Sequence, residues 1–188
     1  MRYLALLRGI NVGGNTMIKM EELRRTFEAL GLGNVKSYIN SGNLAFDAEA
    51  GGSPPPSSGS ASGNEGNLAL KLEAAIEKDF GKQVPVIIRQ QKEDIERILA
   101  GNPFDGEFES HKEMHVLFLK EVMPPEKAVQ LTAAAVPPER FVMKGREIYC
   151  HLPMGVADSL LGKSFIEKKL KVAVTGRNWR TVQKLAEL

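Results

Sequence analysis

The segment from Arg8 to Asn15 contains residue types that suit the binding of a small anion, among them Asn11, Gly13 and Gly14. Glycines let backbone N–H groups approach a ligand closely, and a guanidinium makes charge-assisted hydrogen bonds to phosphate or carboxylate. A run of exposed N–H groups in such a loop forms a concave binding site for anions. These residues therefore suggest binding of a phosphate- or carboxylate-bearing molecule.

A second segment of this kind is the turn containing Ser41, Gly42 and Asn43. The first segment follows one predicted strand and this turn follows the next. Right-handed crossovers in a βαββαβ unit make these two strands parallel, so their carboxyl ends lie at the same edge of the sheet. We expect both segments to meet there beside Arg8 and the N-terminus of the first helix, whose dipole also favours an anion.

A structural interpretation of the same residues is also open. The glycines would then only allow tight turns, while Asn11, Ser41 and Asn43 would hydrogen-bond the backbone of their own loops. The first segment lacks the full dinucleotide-binding fingerprint, so its pattern does not decide between the two interpretations.

A third candidate site precedes the last predicted helix, at Arg177 and Asn178. Asn178 can cap that helix, and Arg177 can either face a ligand or form a structural ion pair. Trp179 falls on a helical stripe with Val182 and Leu185, which predicts a core position for the indole.

The remaining reactive side chains predict neither a catalytic site nor a metal site. Cys150 and His151 are neighbours on a predicted strand and point to opposite faces, so they cannot form a nucleophile and base pair. The segment 111–115 resembles a zinc-protease motif only superficially, because its glutamate is misplaced and it enters a strand. Asp47 is the one titratable candidate near the first two segments. We predict no cofactor.

Residues Gly162 to Ser164 imitate the end of a phosphate-binding loop. The earlier glycine that such a loop needs is absent, and no strand precedes the segment. Ser164 and Glu167 instead predict a helix capping box.

Hydrophobic periodicity predicts an α+β fold of two ferredoxin-like βαββαβ-type halves, which suggests an internal duplication packed into one compact unit. The halves are residues 1–103 and 112–188. Strand Tyr3 to Arg8 is apolar on both faces and should be central in its sheet. The other predicted elements of the first half are helix Met20–Leu30, strands Val35–Ile39 and Leu44–Phe46, helix Leu68–Phe80 capped by Asn67, strand Val84–Ile88 and helix Lys92–Leu99. Those of the second half are strand His115–Leu119, a helix begun by Pro124-Pro125, strands Arg140–Met143, Glu147–His151 and Val172–Val174, and helix Trp179–Leu188.

Composition limits the protein class. The chain has 188 residues and a single cysteine, so an internal disulfide is excluded. Its net charge of +2 is too small to favour binding along an extended polyanion. No apolar run reaches the roughly 20 residues that span a bilayer, and we predict a cytoplasmic protein without a membrane partner. The stretch Ala48 to Gly66 is rich in Gly, Ser and Pro and is predicted to be a disordered insert, residues 48–66.

The motifs together resemble the bacterial family called domain of unknown function 1697. The resemblance is carried by five segments, which are Tyr3 to Gly14, Tyr38 to Asn43, Asn102-Pro103-Phe104, His115 to Leu119 and Arg177-Asn178-Trp179. It implies two related α+β halves and supplies no established activity or catalytic residue. The insert after Asp47 departs from the family pattern.

Three functional classes follow from these observations. The leading one is a protein that binds a small anionic ligand through Arg8, Asn11, Gly13, Gly14, Ser41, Gly42, Asn43, Arg177 and Asn178. The first alternative is RNA or nucleic-acid binding. The basic stretch from Lys163 to Lys184 permits it, but the predicted strands lack the paired aromatic residues on which RNA bases stack. The second alternative is an enzyme acting on a phosphorylated small molecule. The sequence does not establish whether the chain forms a homo-oligomer.

Overall fold

The computed structural model describes residues 1–14, 16–49 and 63–188. Within these residues the chain forms six helices and two four-stranded antiparallel sheets. It divides into two compact units, one made of residues 1–96 and 185–188 and the other of residues 97–184. None of the described helices is long and apolar enough to cross a membrane.

The first unit contains one sheet and the elements that surround it. Its sheet has the strand order β2-β3-β1-β4. Its elements are β1 (Arg2–Leu7), α1 (Met20–Ala29), β2 (Gly33–Tyr38), β3 (Asn43–Asp47), α2 (Gly63–Phe80), β4 (Val86–Gln90) and the first part of α3 (Gln91–Ala100).

Strand β1 lies in the interior of this sheet, as its apolar character predicted. It pairs antiparallel with β3 on one side and β4 on the other, so that Leu4 lies opposite both Ala45 and Arg89. Tyr3, Ala5 and Leu7 pack in a core with the inner faces of α1 and α2, while Leu4 and Leu6 on the opposite face are also fully buried. Both faces of β1 are therefore covered, and its end at Leu7 is rigidly placed.

Helix α2 begins earlier than its apolar periodicity predicted. It starts at Gly63, so Asn67 lies inside the helix and is not its cap. Asn64 donates a hydrogen bond of 2.7 Å to the hydroxyl of Tyr3, and Glu65 is buried. Polar anchoring thus extends the helix into residues that the sequence assigned to the disordered insert. Within that predicted insert, residues 50–62 lie outside the described part of the chain.

The second unit contains the second sheet, with the strand order β6-β7-β5-β8. Its core includes Leu117, Leu131 and Ile148. Its elements are the end of α3, then β5 (Met114–Leu119), α4 (Pro125–Ala134), β6 (Arg140–Lys144), β7 (Glu147–His151), α5 (Phe165–Lys168), β8 (Val174–Asn178) and α6 (Trp179–Leu185), whose last residue is assigned to the first unit.

Strand β8 begins and ends later than predicted, and the difference changes the position of Arg177. The sequence placed the last strand at Val172–Val174, with Arg177 after it. Arg177 instead lies within β8 opposite Val116 of β5. Residues 175–178 lack the apolar residues that predict a strand, and the position of β8 is fixed instead by its pairing with β5.

Candidate functional site

The loop that follows β1 has an unusual backbone conformation. Gly9, Asn11, Gly13 and Gly14 all have left-handed φ values, of 68°, 54°, 64° and 79° respectively. Glycine adopts this conformation without steric cost, and asparagine tolerates it better than most residues do. We call residues 8–14 the glycine loop.

Asn11 fixes the shape of the glycine loop. Its side-chain amide donates to the carbonyls of Ile18, at 2.9 Å, and Asn40, at 2.8 Å, and its side-chain oxygen accepts from the N–H of Ile18. Its own N–H donates to the carbonyl of Thr16 at 2.8 Å. Because these bonds use its amide group, Asn11 acts as a structural clamp between three segments of backbone.

The turn between β2 and β3 meets the glycine loop, as the topology argument predicted. The N–H of Leu7 donates to the carbonyl of Gly42 at 2.8 Å. Gly42 has a φ of 81°, and a Cβ placed on it would lie 2.7 Å from the Cβ of Leu7. Asn43 is fully buried and donates to the carbonyl of Tyr38 and the hydroxyl of Ser41, both at 3.1 Å.

The tip of the glycine loop presents backbone N–H groups to solvent. Val12, Gly13 and Gly14 are exposed, and their N–H groups make no hydrogen bond to any described residue. Neither Gly13 nor Gly14 has a heavy atom within 4 Å of the position that a Cβ would occupy. A ligand can therefore approach this backbone closely. Asn15, the last residue of the predicted segment, lies outside the described residues.

A cleft of about 660 Å³ adjoins the loop and is lined by Asn11, Asn40, residues 17–20, Glu21 and Glu22. Helix α1 begins only at Met20, and the side chain of the residue before it, Lys19, makes no capping hydrogen bond. The first helical turn carries Glu21, paired with Arg25 at 2.6 Å, and Glu22, paired with Lys19 at 3.3 Å. These acids disfavour a further anion there, so the helix end does not supply the contribution that we expected.

Three apolar side chains are exposed near this edge of the sheet. Val12 is 62% exposed, Met17 69% and Ile39 50%. Ile39 also has a left-handed φ of 49°, which is a strained conformation for a β-branched residue. Neither Met17 nor Ile39 is recognisable from the sequence, because one exposed apolar residue carries no signal by itself.

Asp47 lies away from the glycine loop. It pairs with Arg2 at the start of β1, whereas the loop follows the end of that strand. Hydrogen bonds from Asn34 and Arg2 lower the pKa of Asp47, and they fix it as a structural carboxylate. The titratable group that an enzyme would need beside the loop is therefore not Asp47.

Arg177 and Asn178 belong to the second unit. The guanidinium of Arg177 is buried and donates to the hydroxyl of Thr175 and the carbonyl of Gly176, each at 2.8 Å. Burial lowers the pKa of Arg177 to about 10. Asn178 accepts a hydrogen bond from the N–H of Thr181 at 2.9 Å, which confirms its predicted capping role, and Trp179 is buried as predicted.

A structural role also explains the segment that imitates a phosphate-binding loop. A Cβ on Gly162 would lie 2.1 Å from the carbonyl oxygen of Val156, so this glycine permits a close backbone contact. The predicted capping box at Ser164 is wrong. Ser164 adopts a left-handed conformation, whereas a capping residue normally has an extended backbone, and its side chain makes no capping bond.

The structure also shows the surroundings of Cys150 and His151, which are neighbours on β7. Cys150 is buried, and burial raises the pKa of its thiol above the ordinary range. Nδ1 of His151 lies 2.9 Å from the Arg140 guanidinium, which can only donate, so Nδ1 accepts and the ring is neutral. Among the described residues there is no group of three or more His, Cys, Asp or Glu placed to hold a metal ion.

The comparisons with known proteins agree with this architecture. The conserved bacterial protein SP0830 from Streptococcus pneumoniae has a similar structure, with a TM-score of 0.74 and 25% sequence identity over 99% of this chain and 97% of that one. No curated protein matches the chain. The model of a family described as protein of unknown function (DUF1697) matches residues 1–149. The chain therefore belongs to the DUF1697 family.

Proposed function

We propose that the protein binds a small molecule that carries a phosphate or carboxylate group, and that the glycine loop holds this group. The observation that carries the proposal is the set of exposed N–H groups of Val12, Gly13 and Gly14, which have no partner among the described residues. Successive N–H groups in a loop that contains left-handed residues, as Gly13 and Gly14 are, favour an anion. Arg8, at the start of the loop and partly exposed, adds a positive charge.

The Asn11 clamp supports this assignment. A loop that orders only on binding loses affinity through its conformational entropy, whereas a loop held in place beforehand does not. Asn11 ties the loop to Ile18 and Asn40 through hydrogen bonds within the protein. The N–H groups at the tip therefore have a fixed geometry before a ligand arrives.

The adjoining cleft indicates the character of the rest of the ligand. Its volume of about 660 Å³ lies in the range typical of small-molecule sites. Met17 and Met20 give it an apolar part, and its acids already have basic partners. A ligand with one anionic group and an uncharged body suits this arrangement better than an extended polyanion.

We also infer that the units are two copies of a ferredoxin-like βαββαβ element. Both sheets have the same order of strands in chain sequence, and the matching strands pair in the same register. Arg89 lies opposite Leu4, and at the matching place Arg177 lies opposite Val116. Both arginines are buried. A shared register with a buried arginine at the same place supports duplication of one ancestral unit.

Thermal unfolding with inorganic phosphate, sugar phosphates and nucleotides tests the binding proposal. A ligand at about 100 times its Kd should stabilise the protein by about 2.7 kcal/mol, or roughly 5–10 °C in Tm. The Arg8→Gln and Gly14→Ala variants should lose this increase, and Arg180→Gln, a change of an exposed arginine in the other unit, should keep it. The proposal fails if no compound in the panel raises Tm above a chloride control of equal ionic strength. It also fails if Arg8→Gln and Gly14→Ala respond like the wild type.

A further inference from the structure

A second cleft lies in the second unit, where the chain passes from β5 to α4. Its volume is about 360 Å³. The matching connection in the first unit, from β1 to α1, is the one that forms the glycine loop. The cleft in the second unit contains no glycine and is lined by Leu119, Lys120, Glu121, Val122, Met123, Pro124, Lys127, Lys171, Val172 and Ala173.

The charges around this cleft are strongly unbalanced. Three lysines line it, from three separate segments: Lys120 precedes the helix, Lys127 lies in α4 and Lys171 precedes β8. Glu121 is the one acid in the lining. Like charges gathered in a concave site raise the local potential and attract anions, especially at low ionic strength.

Two of these lysines are available to a ligand. Lys127 and Lys171 make no ion pair with any described residue. Lys127 is partly buried, which limits the directions in which its ammonium group can point. Their charges are therefore not already neutralised by the protein.

The backbone at Lys171 provides an independent observation. Lys171 has a left-handed φ of 55° just after α5, and the N–H of Val172 donates to the carbonyl of Ile166. Lys171 is the third residue after the end of α5, and a left-handed φ is uncommon for residues other than glycine because the side chain clashes with the backbone. A lysine in that position places a cation at the cleft despite an unfavourable backbone conformation.

We propose that this cleft is a second anion-binding site, specific for a compact multiply charged group such as a diphosphate. Ammonium groups are compact point charges that approach phosphate oxygens from several sides, and Lys127 and Lys171 bring two of them to one cleft, which suits a group with several charged oxygens. The small volume and the apolar residues Val122, Met123 and Pro124 limit the ligand to a small molecule. The site does not depend on the glycine loop, which lies in the other unit.

Titration of pyrophosphate into the full chain, followed by calorimetry at low and at moderate ionic strength, tests this proposal. Lys127→Ala and Lys171→Gly should each weaken binding by about fivefold to tenfold, in line with the loss of one charge-assisted contact. Lys163→Ala is the matched control, because Lys163 is an exposed lysine of the same unit that does not line the cleft. The control should bind pyrophosphate as the wild type does.

Lys171→Gly separates binding from stability. Glycine removes the strain of the left-handed conformation, so the variant should melt at the same temperature as the wild type or higher while binding pyrophosphate more weakly. If Lys171 serves only the end of α5, the substitution will leave pyrophosphate binding unchanged, and that result overturns the proposal. If the affinity for pyrophosphate falls equally in the cleft variants and in Lys163→Ala, the pyrophosphate is an adventitious ion only, held by the general charge of the surface, and the proposal is overturned. The absence of saturable pyrophosphate binding would also overturn it.

Discussion

Substitution of Gly42 by alanine should destabilise the protein far more than the same change at Gly14. Both glycines have left-handed φ values, 81° at Gly42 and 79° at Gly14. An alanine in that conformation costs roughly 1–2 kcal/mol. The two positions differ only in their surroundings, so this pair isolates the effect of packing.

The surroundings of Gly42 are fully buried. A Cβ there would lie 2.7 Å from the Cβ of Leu7 and 3.0 Å from two side-chain atoms of Ile10, whereas a Cβ on Gly14 would meet nothing within 4 Å. Overpacking of a core costs about 1–3 kcal/mol. We therefore expect Gly42→Ala to lower the free energy of unfolding by about 2–5 kcal/mol in total, and Gly14→Ala by about 1–2 kcal/mol.

Urea denaturation followed by circular dichroism measures both values, provided that the slope of the transition is unchanged. A difference of less than about 1 kcal/mol between Gly42→Ala and Gly14→Ala would refute the packing argument. Packing would then not explain the glycine at position 42, and Gly42 would again be a candidate ligand-binding residue.

Three further predictions follow from the same contacts. Asn11→Gly keeps the left-handed backbone but removes the side-chain hydrogen bonds of the clamp. The substitution should lower the free energy of unfolding by about 1–3 kcal/mol and weaken anion binding. An unchanged affinity for phosphate would contradict the clamp argument. Arg177→Ala should lower the free energy of unfolding in anion-free buffer by about 1.5–3 kcal/mol, because the buried hydrogen bonds of the guanidinium are lost. Wild-type stability together with a lost response to anions would instead indicate that Arg177 contacts a ligand. Burial, reinforced by Arg140, lowers the pKa of His151, so the unfolded chain binds more protons and stability should fall as pH decreases below the ordinary histidine pKa of about 6.5. His151→Gln should reduce the loss in urea midpoint between about pH 7.5 and 5.5, and an identical loss in both proteins would refute this cause.

The order of helices and strands was largely predictable, because apolar residues follow the period of each element. Strand β1 was placed in the interior because residues on both of its faces are apolar, and it lies there. The meeting of the glycine loop with the turn at Gly42 followed from connection rules alone. Element type and strand direction are properties that such patterns carry well.

The boundaries that were wrong depend on contacts between distant residues. The first turn of α2 is held by the bond from Asn64 to Tyr3, and β8 extends to Asn178 because it pairs along β5. Neither contact produces a periodic pattern of apolar residues in the sequence. The lysine cleft was missed for the same reason, since Lys120, Lys127 and Lys171 come together only after folding.

Amide chemical shifts of the isotopically labelled protein, recorded during a titration with inorganic phosphate, test the central claim most directly. Binding at the glycine loop predicts saturable shifts of the N–H signals of Val12, Gly13 and Gly14, with the same signals unmoved in the Arg8→Gln variant at equal phosphate concentration. A control titration with sodium chloride to the same ionic strength should leave these signals in place. Glycine-loop signals that do not move, or that move in proportion to ionic strength without saturation, would contradict the proposed anion site.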